Sequence, residues 1–351
     1  MSRRARYAAV VGLVGGTLAG VLAILSPFAS EGDPDLAAEV ALTFQDGAID
    51  ESSGLVVRGD RIYTMNDSGG GPVVYAVDRR TGETAATTTF ADEDPEDLEA
   101  LAPGRRGSLW VGDTGDNRRE RGSIRVYHLT PPREGGQVAA DSFDLAYPDG
   151  PHDAEALLVR PGSQRLFVVS KRPFIGGVVY RAPKELGADE VNRLEPVARV
   201  SGMITDGTFL PDGEHVLLRT VGGAAVYTFP GWEKVAEFVL PLQDQGEGIA
   251  VGPDGRVYLS SEGEHSDVLV MDLPPLAEPS ADPTAGAGPQ DGSGAAAGEQ
   301  NTARDDEGPA PGEEDGALPG RPAGYAVAAV LGSALVAVLV RASRRRSRRR
   351  L

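Results

Sequence analysis

The stretch DAEALLVRPGSQRLFVV, residues 153–169, decides the fold. It opens on an acidic turn, runs into a short apolar strand, reverses at a Gly-containing turn and returns as a second apolar strand. The opening recurs as ESSGLVV at 51, DLEALAP at 97, TDGTFLP at 205 and QGEGIAV at 245. After its own turn, each copy continues into RIYTM, SLWVG, HVLLR or RVYLS. A polar loop then leads to a third strand: VVYAV at 73, IRVYHL at 124, VVYRA at 178, AAVYTF at 224 and VLVMDL at 268. A fourth strand closes four of the units, as TTTF, FDLAY, VARVS and AEFVL. Four short strands in each ~45 residues is the pattern of a β-propeller blade. The chain therefore reads as all-β, with five four-stranded blades, or six if one repeat has decayed, over residues 39–274. The fifth unit lacks its last strand. The segment EVALTF at 39–44 can supply it, tying the two ends of the ring and hiding an open edge.

The 351 residues would accommodate two domains at about 150 residues each, yet only the repeated region carries enough apolar side chains to fold. Cysteine is absent, which excludes disulfide frameworks, Cys-ligated metals and Cys nucleophiles. The net charge of −18 is unevenly spread. Ten arginines sit at the two ends, and without them 24 bases face 52 acids, a balance of −28 for the middle. Such a body repels a phosphate backbone, so nucleic acid is excluded as a general partner.

Both ends point to a membrane. Residues 1–30 hold an Arg-rich start and an uncharged apolar run, Tyr7 to Ala29, which reads as a signal peptide or an N-terminal anchor. Residues 323–340 are 18 apolar or small residues, enough to cross about 27 Å of hydrocarbon as a transmembrane helix. A basic tail, 341–351, follows at once and belongs in the cytoplasm by the positive-inside rule. Between propeller and span, residues 275–322 are Pro, Gly, Ala, Ser and acids, a stalk too poor in large apolar groups to fold. Unfolded, it spans about 35–40 Å. The expected location is the cell membrane, as an integral protein anchored once or twice, with the propeller outside the cytoplasm.

In a propeller, the starts of the innermost strands and the loops between second and third strands meet on one face around the channel. Two residues before the central apolar position of the first strand, the five units carry Ser53, Glu99, Glu155, Gly207 and Glu247. Two positions earlier they carry Glu51, Asp97, Asp153, Thr205 and Gln245, with Asp206 beside Thr205. The loops add Asn66, Asp67, Asp113, Asp116, Asn117, Lys171, Arg172, Arg219 and His265 as candidate ligand contacts. Carboxylates this dense need a cation, basic side chains or raised pKa values. Glu99, Glu155, Glu247, Asp97, Asp153 and Asp206 are the candidate metal ligands, and all-oxygen donors favour Ca2+ or magnesium over zinc. The same acids could instead cap turns and bond backbone amides of neighbouring blades, or serve a catalytic site. His152 also falls on this face, where a general base would be useful. No G-x-S-x-G elbow, H-E-x-x-H or P-loop occurs.

The blade openings DLEAL, DAEAL and GEGI, the D-G turns and the VY third strands resemble those of secreted or membrane-anchored bacterial β-propellers, in the broad group of phytase-like and WD40-like repeat proteins. The preference for Arg over Lys gives the resemblance an actinobacterial cast. No blade ends in Trp-Asp. A phytase-like relative implies calcium-dependent phosphomonoester hydrolysis on an acidic face. A lactonase-like relative implies one metal at the channel mouth, with Glu99, Glu155 or Glu247 and Asn66 or Asn117 in the ligand positions.

Three functional readings follow. The first is a membrane-tethered propeller that binds an extracellular protein, glycan or small molecule through its acidic face, with calcium. The second is a metal-dependent surface hydrolase, a phosphoesterase or lactonase. The third is a structural envelope protein whose acids only tie blades together.

Overall fold

The second strand of each repeat is apolar at consecutive positions, as in Leu166–Ser170, where all five residues are buried. A strand alternates its side chains between two faces, so this pattern requires a sheet covered on both sides. The computed structural model describes residues 37–67, 70–90, 95–173 and 175–276, and supplies that cover by packing five sheets around one axis.

Blade 1 holds β2 (Ser52–Arg58), β3 (Arg61–Asn66), β4 (Val73–Asp78) and β5 (Thr84–Thr89). Blade 2 holds β6 (Leu98–Pro103), β7 (Leu109–Asp113), β8 (Ile124–Leu129) and β10 (Asp141–Ala146). Blade 3 is β11 (Ala154–Val159), β12 (Leu166–Ser170), β13 (Gly177–Arg181) and β15 (Glu195–Val200). Blade 4 is β16 (Ile204–Phe209), β17 (His215–Thr220), β18 (Gly223–Thr228) and β19 (Lys234–Val239). In blade 5, β20 (Gly246–Val251), β21 (Val257–Ser261) and β22 (Asp267–Met271) are completed by β1 (Glu39–Thr43), which pairs antiparallel with β22. Arg256 to Glu39 (2.7 Å) and Thr43 to Asp267 (2.5 Å) reinforce this closure. The innermost strands β2, β6, β11, β16 and β20 each touch the next, and β20 returns to β2, so the ring is shut.

Five apolar clusters each lie between two neighbouring blades. Val168 and Tyr180 of blade 3 pack toward Trp110 and Val126 of blade 2, whereas Phe167 and Val169 pack toward Phe209 and Val216 of blade 4. Alternation along one strand thus feeds two cores. Where inner strands crowd the axis, Gly54 (φ +67°) is needed, since a Cβ there would lie 2.6 Å from the backbone N of Leu101. Two-residue strands β9 (Gly136–Gln137) and β14 (Asn192–Arg193) add parallel pairing to the outer edges of blades 1 and 2.

The signal or anchor at 1–30, the span at 323–340, the tail at 341–351 and all but the first two residues of the 275–322 stalk lie outside the described residues. Among the described residues, no helix is long and apolar enough to cross a membrane.

Candidate cation site at the channel mouth

Every inner strand begins with a register irregularity: Ser53/Leu55, Leu98/Ala100, Ala154/Ala156, Ile204/Asp206 and Gly246/Ile249. A bulge of this kind bends the strand and re-aims a side chain. The second residues of the five strands are Ser53, Glu99, Glu155, Thr205 and Glu247. This corrects the alignment on apolar strand centres, which put Gly207 at this level. Pairing of Ile204 with Thr220 and of Asp206 with Arg219 makes Thr205 the counterpart of Glu99 and Glu155. Register follows backbone pairing, and the acid at 206 is one residue further along. The two hydroxyl members serve as inter-blade ties: Ser53 Oγ donates to Glu99 O (2.9 Å) and Thr205 Oγ1 to Glu247 O (3.2 Å).

Several expected ligands are committed to the backbone instead. Asp206 is fully buried, and its two oxygens accept the N–H groups of Gly207 and Ile249, both at 2.7 Å. It ties blade 4 to blade 5 and is not among the three acids brought within 4.8 Å of one another. Asp153 Oδ1 accepts the amide of Asp116 (2.9 Å), joining blades 2 and 3 beside the bond from Thr114 Oγ1 to Ala154 O. Asp116 accepts the amides of Glu120 and Arg121, and Asp113 those of Asp97 and Glu96. Asn66 Nδ2 donates to Ala48 O (2.6 Å) and Asp50 Oδ1 (3.0 Å). These groups satisfy buried amides and carbonyls that would otherwise be costly. Asn117 stands exposed on its loop, and Arg172 is half-buried with its charge felt by Tyr180. His265 is exposed with Nδ1 3.0 Å from Phe44 O. His152 is buried against Tyr147 and Tyr180, its Nε2 3.0 Å from Asp149, so neither histidine is brought to the ring.

Two different arrangements remain around the axis. On the side of blades 1 and 2, Asp67, Asp97 and Glu99 each bring a carboxylate oxygen within 4.8 Å of the others. Burial, then the charges of Glu155, Asp67 and Asp97, pushes the Glu99 carboxyl well above its ordinary range, against the opposing pull of Lys171. On the other side, the Lys171 ammonium pairs directly with Glu155. Burial opposes the lysine's charge, but Glu155, Glu247 and Glu99, in that order, raise its pKa above the usual value. Burial likewise lifts Glu155, partly offset by Lys171 and reinforced by Glu247 and Asp153. Next along, the buried Arg219 donates to Gly248 O (2.7 Å), Ser260 O (2.9 Å) and Gln243 Oε1 (2.8 Å). Burial lowers its pKa to about 10, with Glu247 and Asp206 acting the other way.

One backbone bond recurs on both sides and sets the register. The residue just past the second strand donates its N–H to the carbonyl two residues before the ring position: Asp67 to Glu51 (2.9 Å), Lys171 to Asp153 (2.8 Å) and Glu262 to Gln245 (2.9 Å). Asp67 and Lys171 are therefore register equivalents, a carboxylate in blade 1 and an ammonium in blade 3. Sequence reading did not reach this equivalence, because the intervening hairpins differ in length. It also missed Gly246, where a Cβ would overlap the Arg219 guanidinium, and Arg121, which pairs with Asp113 at 2.8 Å.

Asp67, Asp97 and Glu99 offer oxygen donors from two blades and no sulfur, a set suited to Ca2+, whose six to eight ligands can be completed by water and carbonyls. No family model and no curated protein matches the chain. Among solved structures it is similar to a gluconolactonase from Xanthomonas campestris (13% identity over 69% of this chain and 91% of that one, TM-score 0.41). It is also similar to a glucose dehydrogenase (15% identity, 64% and 83% covered, TM-score 0.38). The five-bladed ring rests on this chain's own strand pairing.

Proposed function

We propose that this chain is a membrane-tethered propeller that holds a calcium ion at its channel mouth and binds an extracytoplasmic ligand over it. The observation that carries the reading is the convergence of Asp67, Asp97 and Glu99, whose carboxylate oxygens lie within 4.8 Å of one another, with Glu99 buried. The Glu99 carboxyl is raised by burial first and then by the charges of Glu155, Asp67 and Asp97, and a bound cation relieves that cost. The tether rests on the Arg-flanked apolar runs at 7–29 and 323–340.

The test is calcium titration of the detergent-purified full chain after EDTA treatment, followed by calorimetry and thermal unfolding. Calcium at 100 times its dissociation constant should add about 2.7 kcal/mol of stability. No uptake of calcium or magnesium at millimolar concentration removes the cation and leaves the structural-envelope reading. Protease added to intact protoplasts should digest the propeller and spare the basic tail; a protected propeller overturns the tether.

A metal-dependent hydrolase, of phosphoesterase or lactonase type, is the second reading. Glu155 favours it: a buried carboxyl of raised pKa, one ring position from the acid triad, is placed to move a proton. Calcium-dependent turnover of a lactone or a phosphomonoester that collapses in Glu155→Gln would establish it over simple binding.

A further inference from the structure

We propose that the face of the propeller opposite the channel mouth docks on an anionic lipid surface through a crescent of arginines in the hairpins of blades 1, 2 and 3. The inference rests on the membrane tether of the proposed function and names the face that meets the lipid. The innermost hairpins of these blades, closed by the pairs Arg58 with Arg61, Pro103 with Leu109 and Val159 with Leu166, lie at the end of the sheets away from the mouth. Residues 58–61, 104–108 and 160–165 hold Arg58, Arg61, Arg105, Arg106, Arg160 and Arg165. Their one acid, Asp60, is paired with Arg133 at 2.8 Å. Arg58 donates to the carbonyls of Gly104 (3.1 Å) and Ser108 (3.2 Å), and Arg160 lies over the Phe229 ring. Such partners fix a guanidinium without cancelling its charge. Arg105 and Arg106 stand exposed beside them. The matching hairpins of blades 4 and 5 carry Asp212, Glu214 and Asp254 against Arg256, so the positive face is confined to three consecutive blades of an acidic body.

The chain enters and leaves the propeller on this same side. In blade 5, Val251 pairs with Val257 at the hairpin, Val257 with Met271, and Val270 with Glu39. The start of β1 and the end of β22 therefore both lie at the hairpin end of the blade. Arg256, in that hairpin, grips both, with Nη1 2.7 Å from Glu39 Oε1 and Nε 3.1 Å from Asp272 Oδ1. Only residues 30–38 separate β1 from the apolar run that ends at Ala29, a length that reaches about 30 Å when fully extended. A propeller tethered that closely turns toward the lipid the side from which its chain ends emerge. Planar guanidinium groups match phosphate oxygens there, whereas the carboxylates of Asp67, Asp97 and Glu99 at the mouth are repelled by anionic headgroups. The mouth is thereby left open to ligands from outside.

Because the chain has no cysteine, single reporters can test the face. Ser163→Cys places a fluorophore in the blade 3 hairpin and Asn117→Cys places one on the mouth side, both at exposed positions. The labelled full chain is reconstituted into phosphatidylglycerol vesicles, or phosphatidylcholine vesicles, carrying a quencher on the lipid headgroup. With phosphatidylglycerol, the Ser163 reporter should be quenched several-fold more than the Asn117 reporter. Arg105→Gln combined with Arg106→Gln should weaken docking about thirtyfold, at roughly fivefold for each base near a charged surface, and so bring the two reporters together. Phosphatidylcholine or high salt should do the same. Equal quenching in phosphatidylglycerol, or stronger quenching at Asn117, overturns the inference, as does a Ser163 preference that survives in the double variant. Alkaline carbonate extraction reads the tether separately. A chain that carbonate strips from the vesicles defeats the tether, while the Ser163 preference measured before extraction still upholds the docking face.

Discussion

Blades 1 and 3 present the same backbone to the channel and opposite charges upon it. Asp67 and Lys171 hang from equivalent hydrogen bonds, yet one joins an acid triad and the other neutralises a ring glutamate. The difference teaches that the propeller repeat dictates positions, while the side chain placed there, a carboxylate in blade 1 and an ammonium in blade 3, sets the local charge. Blades 4 and 5 extend the self-sufficient sector through Asp206 and Arg219.

Removing a member of that sector should give the largest effect. Asp206→Ala leaves the amides of Gly207 and Ile249 unsatisfied and takes a countercharge from the buried Arg219. Loss of one partner from a buried charged set costs about 3–5 kcal/mol, to be read from the urea unfolding midpoint. A change under 1 kcal/mol would mean the tie between blades 4 and 5 is dispensable.

The two ring glutamates provide the sharper comparison, because the same isosteric change should act with opposite sign. Glu155→Gln strips the ionic partner from Lys171 and should destabilise by about 2 kcal/mol, the scale of a charge-assisted hydrogen bond. Glu99→Gln should raise the melting temperature of the chelated protein by relieving repulsion from Asp67 and Asp97, and weaken its response to calcium. If both substitutions destabilise equally, the two sectors are not electrostatically distinct.

The smallest effect expected is the pH dependence of the cation-free protein. Glu99 is raised above the ordinary carboxyl value of 4.5, chiefly by burial, so the native chain keeps a proton that the unfolded chain has released. Its contribution to stability is complete below that value and is lost as the pH rises through the elevated native range. Chelated protein should therefore melt higher at pH 5.5 than at pH 7.5, and Glu99→Gln should narrow the gap. A melting temperature that climbs with pH over this interval would contradict the assignment.

Much of the blade architecture was legible because its signals are local. Apolar runs such as RLFVV and the turns between them recur within each unit, and counting the fourth strands exposes the vacancy that β1 fills. The level of Glu99, Glu155 and Glu247 was legible too, since each sits at the same offset from an apolar strand centre. Thr205 was not, because blade 4 puts Gly207 where blade 3 has the apolar Leu157, so an alignment on apolar centres slides two residues on to Phe209. Asp113, Asp116, Asp153 and Asp206 resembled ligands for a related reason. A carboxylate that accepts two backbone amides and one that faces a cation look identical in sequence.

The amino-acid sequence by itself determined the five-fold repetition, the closure by an early strand, the acidic middle and the exclusion of cysteine chemistry. These depend on composition and on short-range periodicity, which each unit carries independently. Tertiary structure alone decided which acids are staples, which share a site, and which face Lys171 or Arg219. Those assignments turn on bulges and on pairings across tens of residues. A shift of one residue changes where a side chain points, and a few ångströms separate a hydrogen bond to a neighbouring blade from a charge left facing the channel.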